Sequence, residues 1–366
     1  MSVQFELLVF GATGDAGRAI ARQLARCAPP SLRWGVAGRS ASKLSKLVSS
    51  FGDGVSCGTM LASCDDPVSM GLMAASTRLV ITAAGPYSSL GEPVIVACLK
   101  EGAHYVDITG EVDWVNAMKR KYGKEAEEKG ICICSFCGYD CESIELSVFN
   151  ACKGLPTMEA PRTAECVFDP GDGGAPRGTL LTVLTNAAHP LSMTWGLIQF
   201  VPSGARLSAM FSLVLWLMPW WSSVVGAFTI PHFMGWCNTP VVHASCAARP
   251  TTGKGLLYYQ DRQLLPFSDR WWTIRGLLPM CCVYFAFLAL APVIFIALAL
   301  PPARTRLIRA LETYSYAGTE KSQPSGDAGI YCTAFLASQT ALTMIEADTL
   351  PSGFSTPAVA VGNLPI

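Results

Sequence analysis

The chain has 366 residues, and its 27 Lys+Arg balance 27 Asp+Glu. No basic excess exists to neutralise phosphates, which excludes a nucleic-acid-binding role on composition. Charged residues are 15% against ~25% in ordinary soluble domains, and mean hydropathy is +0.35, which excludes a largely disordered chain. The 15 cysteines are spread over the whole length, and the start Met-Ser-Val-Gln-Phe-Glu lacks a basic leader region. The expectation is no signal peptide and reduced thiols.

Residues 5–10, Phe-Glu-Leu-Leu-Val-Phe, predict a strand ending at Gly11. Ala16, Ile20, Leu24 and Cys27 stand at helical spacing and predict a helix over 15–27. A second strand is expected at 32–37, a short helix at 43–50 and a buried strand at 78–84. A helix over 93–100 with Pro93 near its start follows. Next come a strand at 104–108, a charged helix at 113–129 and a strand at 131–135. Strands alternating with helices predict a doubly wound parallel sheet of the Rossmann α/β class.

Beyond residue 165 the texture changes. Arg206 and Arg249 bracket a stretch without Asp, Glu, Lys or Arg, and a second uncharged stretch covers 276–300. As a helix the second would be roughly 37 Å long, against a bilayer core of ~30 Å. Pro279 and Pro292 are expected to interrupt it. Trp216, Trp220, Trp221, Trp236, Trp271 and Trp272 flank or punctuate these stretches, as interfacial anchors do. Segments 170–178 and 317–329 are Gly/Ser/Pro-rich loops.

The loop Gly11, Ala12, Thr13, Gly14, Asp15, Ala16, Gly17 lies between the first strand and the first helix. Small residues there allow a sharp turn and a close approach of a pyrophosphate to backbone N–H groups at the helix start. The second strand ends at Gly38, where an NAD site places an acid on the ribose. Arg39, Ser40 and Lys43 stand there instead, which favours a 2′-phosphate and hence NADP over NAD. Ala84, Gly85, Pro86 and Tyr87 leave the carboxyl end of the 78–84 strand, where open α/β sheets bind ligands.

Residues 81–87 (Ile-Thr-Ala-Ala-Gly-Pro-Tyr), 91–94 (Gly-Glu-Pro-Val), Ala97-Cys98 and 102–111 (Gly-Ala-His-Tyr-Val-Asp-Ile-Thr-Gly-Glu) form a long block. With the glycine loop and residues 37–40, this block resembles saccharopine dehydrogenase-like oxidoreductases, a family that includes trans-acting enoyl reductases of lipid synthesis. Shorter likenesses lie at Gly138-Tyr139-Asp140, Gly178-Thr179, Ile230-Pro231, residues 326–329 and Thr356-Pro357-Ala358. The resemblance implies an inserted second domain with a mixed sheet and a C-terminal segment that packs back on the Rossmann domain. After Asp140 the chain reads Cys-Glu-Ser-Ile-Glu-Leu-Ser, where the family usually has Ser-Ile-Pro-Ala-Asp-Leu-Gly.

No catalytic acid is identified by sequence; Tyr87, Asp107 and Asp140 are candidates, and Asp107 can equally anchor a loop. Cys132, Cys134, Cys137 and Cys141 lack a second zinc-type pair and read as structural thiols, so no metal is expected. His104, His189, His232 and His243 are scattered and read as ordinary core or surface histidines.

The expected organisation is an NADP-binding Rossmann domain at 1–150, an α+β domain carrying hydrophobic membrane-associating segments at 151–326, and a C-terminal segment at 327–366. The expected function is NADP-dependent oxidation or reduction of a hydrophobic or lipid-linked small molecule. Residues 207–248 and 276–300 contain no cation for the carboxylates of saccharopine. The alternative is a catalytically silent membrane- or lipid-droplet-associated protein that retains its nucleotide domain. If the tail packs on the N-terminal domain, a lone crossing by 276–300 is excluded. Either 207–248 crosses as well, or the apolar segments enter one leaflet from the cytosolic face and return.

Overall fold

The computed structural model describes residues 3–152, 162–168, 184, 219–232, 234–248, 257–265, 273–312 and 328–361. It divides into two compact units, Met1–Lys153 with Ala317–Ile366, and Gly154–Tyr316.

The first unit is a parallel sheet of seven strands: β1 Phe5–Phe10, β2 Trp34–Gly38, β3 Cys57–Leu61, β4 Thr77–Thr82, β5 His104–Asp107, β6 Cys132–Cys134 and β11 Gly353–Ser355. Their spatial order is β11-β6-β5-β4-β1-β2-β3. Between them run α1 Asp15–Cys27, α2 Ala41–Ser49, α3 Pro67–Ala75, α4 Tyr87–Glu101, α5 Val112–Glu128 and α6 Tyr139–Cys152. A π-helical turn, Ala328–Cys332, leads into α10 Thr333–Glu346, and α11 Pro357–Val361 follows β11.

Parallel strands flanked by helices bury both faces, so they read as continuous apolar runs. Leu7, Leu8, Val9, Val80 and Ile81 are fully buried. Ile20, Ala21 and Leu24 of α1 share one core cluster with Ala334, Ala337 and Ala341 of α10. The tail also enters the sheet, because β11 pairs with β6 in parallel, Gly353 opposite Cys132.

Two elements of this unit carry no clear apolar pattern. Strand β3 is an edge strand, half-buried at best along its length. Helix α3 is set by its start rather than by periodicity: Asp66 accepts from the Val68 N–H at 3.0 Å and Pro67 opens the first turn. Helix α4 begins six residues earlier than expected from Pro93, which lies in its interior.

The second unit holds a four-stranded mixed sheet in the order β7-β10-β9-β8, with β7 Arg162–Phe168, β8 Trp220–Ser222, β9 Ala227–Pro231 and β10 Leu257–Leu264. β10 runs parallel to β7 and antiparallel to β9. Helices α7 Gly235–Ala248, α8 Ile274–Ala299 and α9 Pro301–Glu312 accompany it.

Here the structure corrects several expectations. Among the described residues, 220–231 form a hairpin and 235–248 a 14-residue helix, too short to cross a membrane; 207–218 lie outside the described residues. Trp236 is buried, so it is a core residue and not an interfacial anchor. Trp216, Trp271, Trp272 and His189 lie outside the described residues. Helix α8 passes through both Pro279 and Pro292 as one 26-residue element. Among the described residues no helix is long and apolar enough to cross a membrane; many α8 side chains from 283 onward fall outside that set.

Candidate cofactor site

The glycine loop leaves the carboxyl end of β1, the point where the strand order reverses and open α/β sheets take their ligands. Its amides are tied to the neighbouring strand: Gly11 N–H donates to Ala37 O at 3.0 Å and Ala12 N–H to the same oxygen at 3.3 Å. Gly11 has φ +76°, and a Cβ there would lie 2.9 Å from Ala84 N. The β1 and β4 loops therefore touch, which brings Gly11–Gly17 beside Ala84–Pro86. At Gly17 a Cβ would meet Gly11 O at 2.3 Å, so α1 starts hard against the loop.

Gly14 differs. Its φ is −75°, which any residue adopts, and a Cβ would find its nearest neighbour, Gly11 O, at 3.4 Å. What the lack of a side chain at Gly14 provides is room at the helix start rather than conformational freedom. Gly14 is also the N-cap of α1, with no side-chain cap bond. The first amides of a helix have no intrahelical partner, and those of α1 point to a place an anion can fill. One residue missed from sequence joins this loop: Arg18, one turn into α1, places Nη2 3.1 Å from Thr13 O. A cation four residues after the middle glycine was the available signal.

At the end of β2, Arg39 and Lys43 are exposed. Ser40 caps α2, accepting from the Lys43 N–H at 3.4 Å and lying 3.2 Å from the Ser42 hydroxyl. Its hydroxyl is therefore engaged by the helix start.

The long sequence block at 81–111 builds the frame under the β4 loop. Glu111, buried, accepts from the Tyr87 N–H at 2.8 Å and the Ser88 N–H at 2.9 Å, so a carboxylate holds the first turn of α4. This is why α4 begins at Tyr87. Tyr87 donates its hydroxyl to Thr82 O at 2.9 Å. Burial and the nearby Asp107 carboxylate push its pKa well above the usual phenol value. Asp107 is fully buried and accepts from Thr109 N–H at 3.0 Å, Phe136 N–H at 3.1 Å and Ser135 Oγ at 2.9 Å. Burial raises its pKa to about 6, against the pull of those donors. Of the candidate acids, Tyr87 and Asp107 are thus built into the frame. Asp140 sits half-buried in the first turn of α6.

His104 accepts the Cys132 N–H on Nδ1 at 3.0 Å, bridging β5 to β6. Cys132, Cys134, Cys137 and Cys141 are buried thiols, with Cys134 and Cys137 Sγ atoms 3.5 Å apart. In the second unit His232 Nδ1 lies 3.3 Å from Asp261 Oδ2, and His243 is half-buried.

Residues 7–134 match the family model for the saccharopine dehydrogenase NADP binding domain. A Caenorhabditis elegans protein named lipid droplet localized protein is 34% identical over 151 residues, 40% of this chain and 35% of its own. A mouse saccharopine dehydrogenase-like oxidoreductase is 34% identical over 156 residues, 39% of this chain and 36% of its own. A Mycobacterium tuberculosis protein named for trans-acting enoyl reductase activity is 32% identical over 185 residues, 50% of this chain and 44% of its own. The matches span less than half the length of these relatives. Over residues 7–134, where glycine loop, strand order and family model coincide, the chain is similar to a saccharopine dehydrogenase NADP binding domain.

Proposed function

We propose that this chain is an NADP(H)-dependent oxidoreductase of the saccharopine dehydrogenase-like kind, acting on a hydrophobic or lipid-linked substrate at a membrane or lipid-droplet surface. The observation that carries the cofactor reading is the cradle at Gly11–Gly17: two glycines whose Cβ positions are filled by backbone, and an uncapped helix start. The nicotinamide would supply hydride chemistry. Gly11–Gly17 would hold the pyrophosphate and Arg39, with Ser40 and Lys43, the 2′-phosphate. Ala84–Tyr87, fixed by Glu111, would line the nicotinamide side. The lipid part of the reading is supported by the uncharged stretches and by the worm relative's name.

Two predictions test the cofactor assignment. Arg39→Ala should weaken NADPH binding roughly tenfold or more, the worth of one charge-assisted hydrogen bond, and leave NADH unchanged in fluorescence titration. Equal affinity of the wild type for both cofactors would refute the 2′-phosphate role. Gly14→Val should abolish binding of both cofactors while the melting temperature stays close to wild type, because the new side chain enters ligand space and not the core. Undiminished binding would make the loop a mere turn.

A second reading is favoured by one observation: Tyr87 and Asp107 are consumed by the frame. On that reading the nucleotide domain is retained in a catalytically silent lipid-droplet protein. NADPH consumption with enoyl and acyl substrates separates the two.

A further inference from the structure

We infer that the bare face of α8, with arginines at both its ends, docks flat on an anionic lipid surface. The inference rests on the lipid-surface reading above and adds the headgroup chemistry and the pose.

Helix α8 has two faces in its first half. Gly276 and Met280 are buried and Tyr284 half-buried, and Met280, Cys281 and Tyr284 pack with Ile230, Leu265 and Phe228 beside the mixed sheet. Positions 276, 280 and 284 lie on one side of a helix. Ile274, Leu278 and Phe285, spaced by four and seven residues, lie on another side, exposed at 84%, 62% and 63%, with half-buried Cys281 at its margin; Leu290 and Val293 continue the exposed apolar surface in the second half. A helix with protein along one side cannot be ringed by lipid. Because the other side packs beside the mixed sheet, and no helix among the described residues is long and apolar enough to cross a membrane, the bare stripe meets lipid with the helix in the interface plane.

The β8–β9 hairpin, packed beside α8, carries exposed apolar side chains of its own. Phe228, which packs in the cluster with Tyr284, meets Trp221 edge-on at 5.3 Å. Trp221 and its neighbour Trp220 are about half exposed, and Val224 at the hairpin tip is bare. Tryptophan is the side chain that settles at a lipid–water boundary.

Charge decides the occupant. Between Asp269 and Glu312 the chain has no acidic residue, while Arg275, Arg304, Arg306 and Arg309 all fall there. Arg275 stands in the first turn of α8; the other three are on α9, which starts directly after Leu300. The two ends of α8 are roughly 39 Å apart at the helical rise. Cations at both ends can meet one anionic surface only with the helix parallel to it. A second copy pairing through this stripe would bring arginines against arginines whichever way it ran.

Flotation of the full chain with phosphatidylcholine vesicles, with and without phosphatidylserine, tests this. The chain should float with the serine lipid and much less without it. R306E/R309E should bind roughly tenfold or more weakly, salt should reproduce that loss, and L278E/F285E should abolish flotation. Both variants alter exposed residues, so their thermal melts should match the wild type. Equal binding to both vesicles overturns the headgroup and pose but leaves the lipid-surface reading standing. No binding to either overturns both. A dimer dispersed by L278E/F285E, with no vesicle binding, gives the face to a second copy and overturns the inference.

Discussion

Replacing Gly17 with alanine will destabilise the first unit by roughly 3 kcal/mol or more, the upper range for forcing an atom into packed space. The added Cβ would lie 2.3 Å from Gly11 O and 2.9 Å from Ala12 Cα. Both are backbone atoms, so no side chain can rotate away. Gly11 has little room to move, because the space where its Cβ would stand is already taken by Ala84 and its amide is held by Ala37 O. The strain must be met by lifting α1 off the sheet, which exposes Ile20, Ala21 and Leu24. Thermal denaturation should show a large drop in melting temperature, with weakened NADPH binding as its consequence. Gly14→Val, three residues away, should do the reverse: binding lost, stability kept. If Gly17→Ala melts like the wild type, the close contact between α1 and the loop is not what the structure describes.

The contrast between these glycines explains what the sequence discloses. Strand β1 and helix α1 were legible because their apolar residues repeat at the period of the element and a small-residue loop stands between them. The same holds for β4, β5 and α5. Strand β3 was not legible: at an edge, Cys57, Gly58 and Met60 need only half burial, so no alternation is imposed. Helix α4 was misplaced because its start is set from 24 residues away by Glu111, a tertiary contact that no local pattern records. The cofactor cradle could be read residue by residue, since its chemistry is backbone and small side chains in sequence order. Candidate acids could not be sorted that way. Whether Asp107 faces a ligand or the amides of Thr109 and Phe136 depends on where β6 and its following loop run. In the second unit, uniform apolarity over 276–300 conceals which side of α8 is packed, and only the contacts with Ile230 and Leu265 separate the faces.

The other large effect comes from Glu142. This residue lies in α6 at one of the positions where the chain departs from the family pattern, and it is buried at 2% exposure. Thr340 of α10 donates its hydroxyl to Oε1, while Oε2 has no hydrogen-bond partner. Burial, helped by the nearby Glu145 charge and opposed by the Thr340 bond, raises its pKa to about 8 from an ordinary 4.5. The folded state therefore binds this proton more tightly than the unfolded chain. Its contribution to stability is complete below about pH 4.5 and is lost progressively as pH rises towards 8. The shift corresponds to an effect on the order of a few kcal/mol. Glu142→Gln keeps the size and an acceptor for Thr340 but removes the titration. The variant should melt at a higher temperature than the wild type at pH 8 and above, and the gap should close as pH falls towards 5. Denaturant unfolding at a series of pH values reads this directly. Parallel pH profiles for the two proteins would mean that Glu142 is charged or solvated in the folded state. A variant destabilised at every pH would mean that the carboxylate, rather than its proton, is what α6 and α10 require.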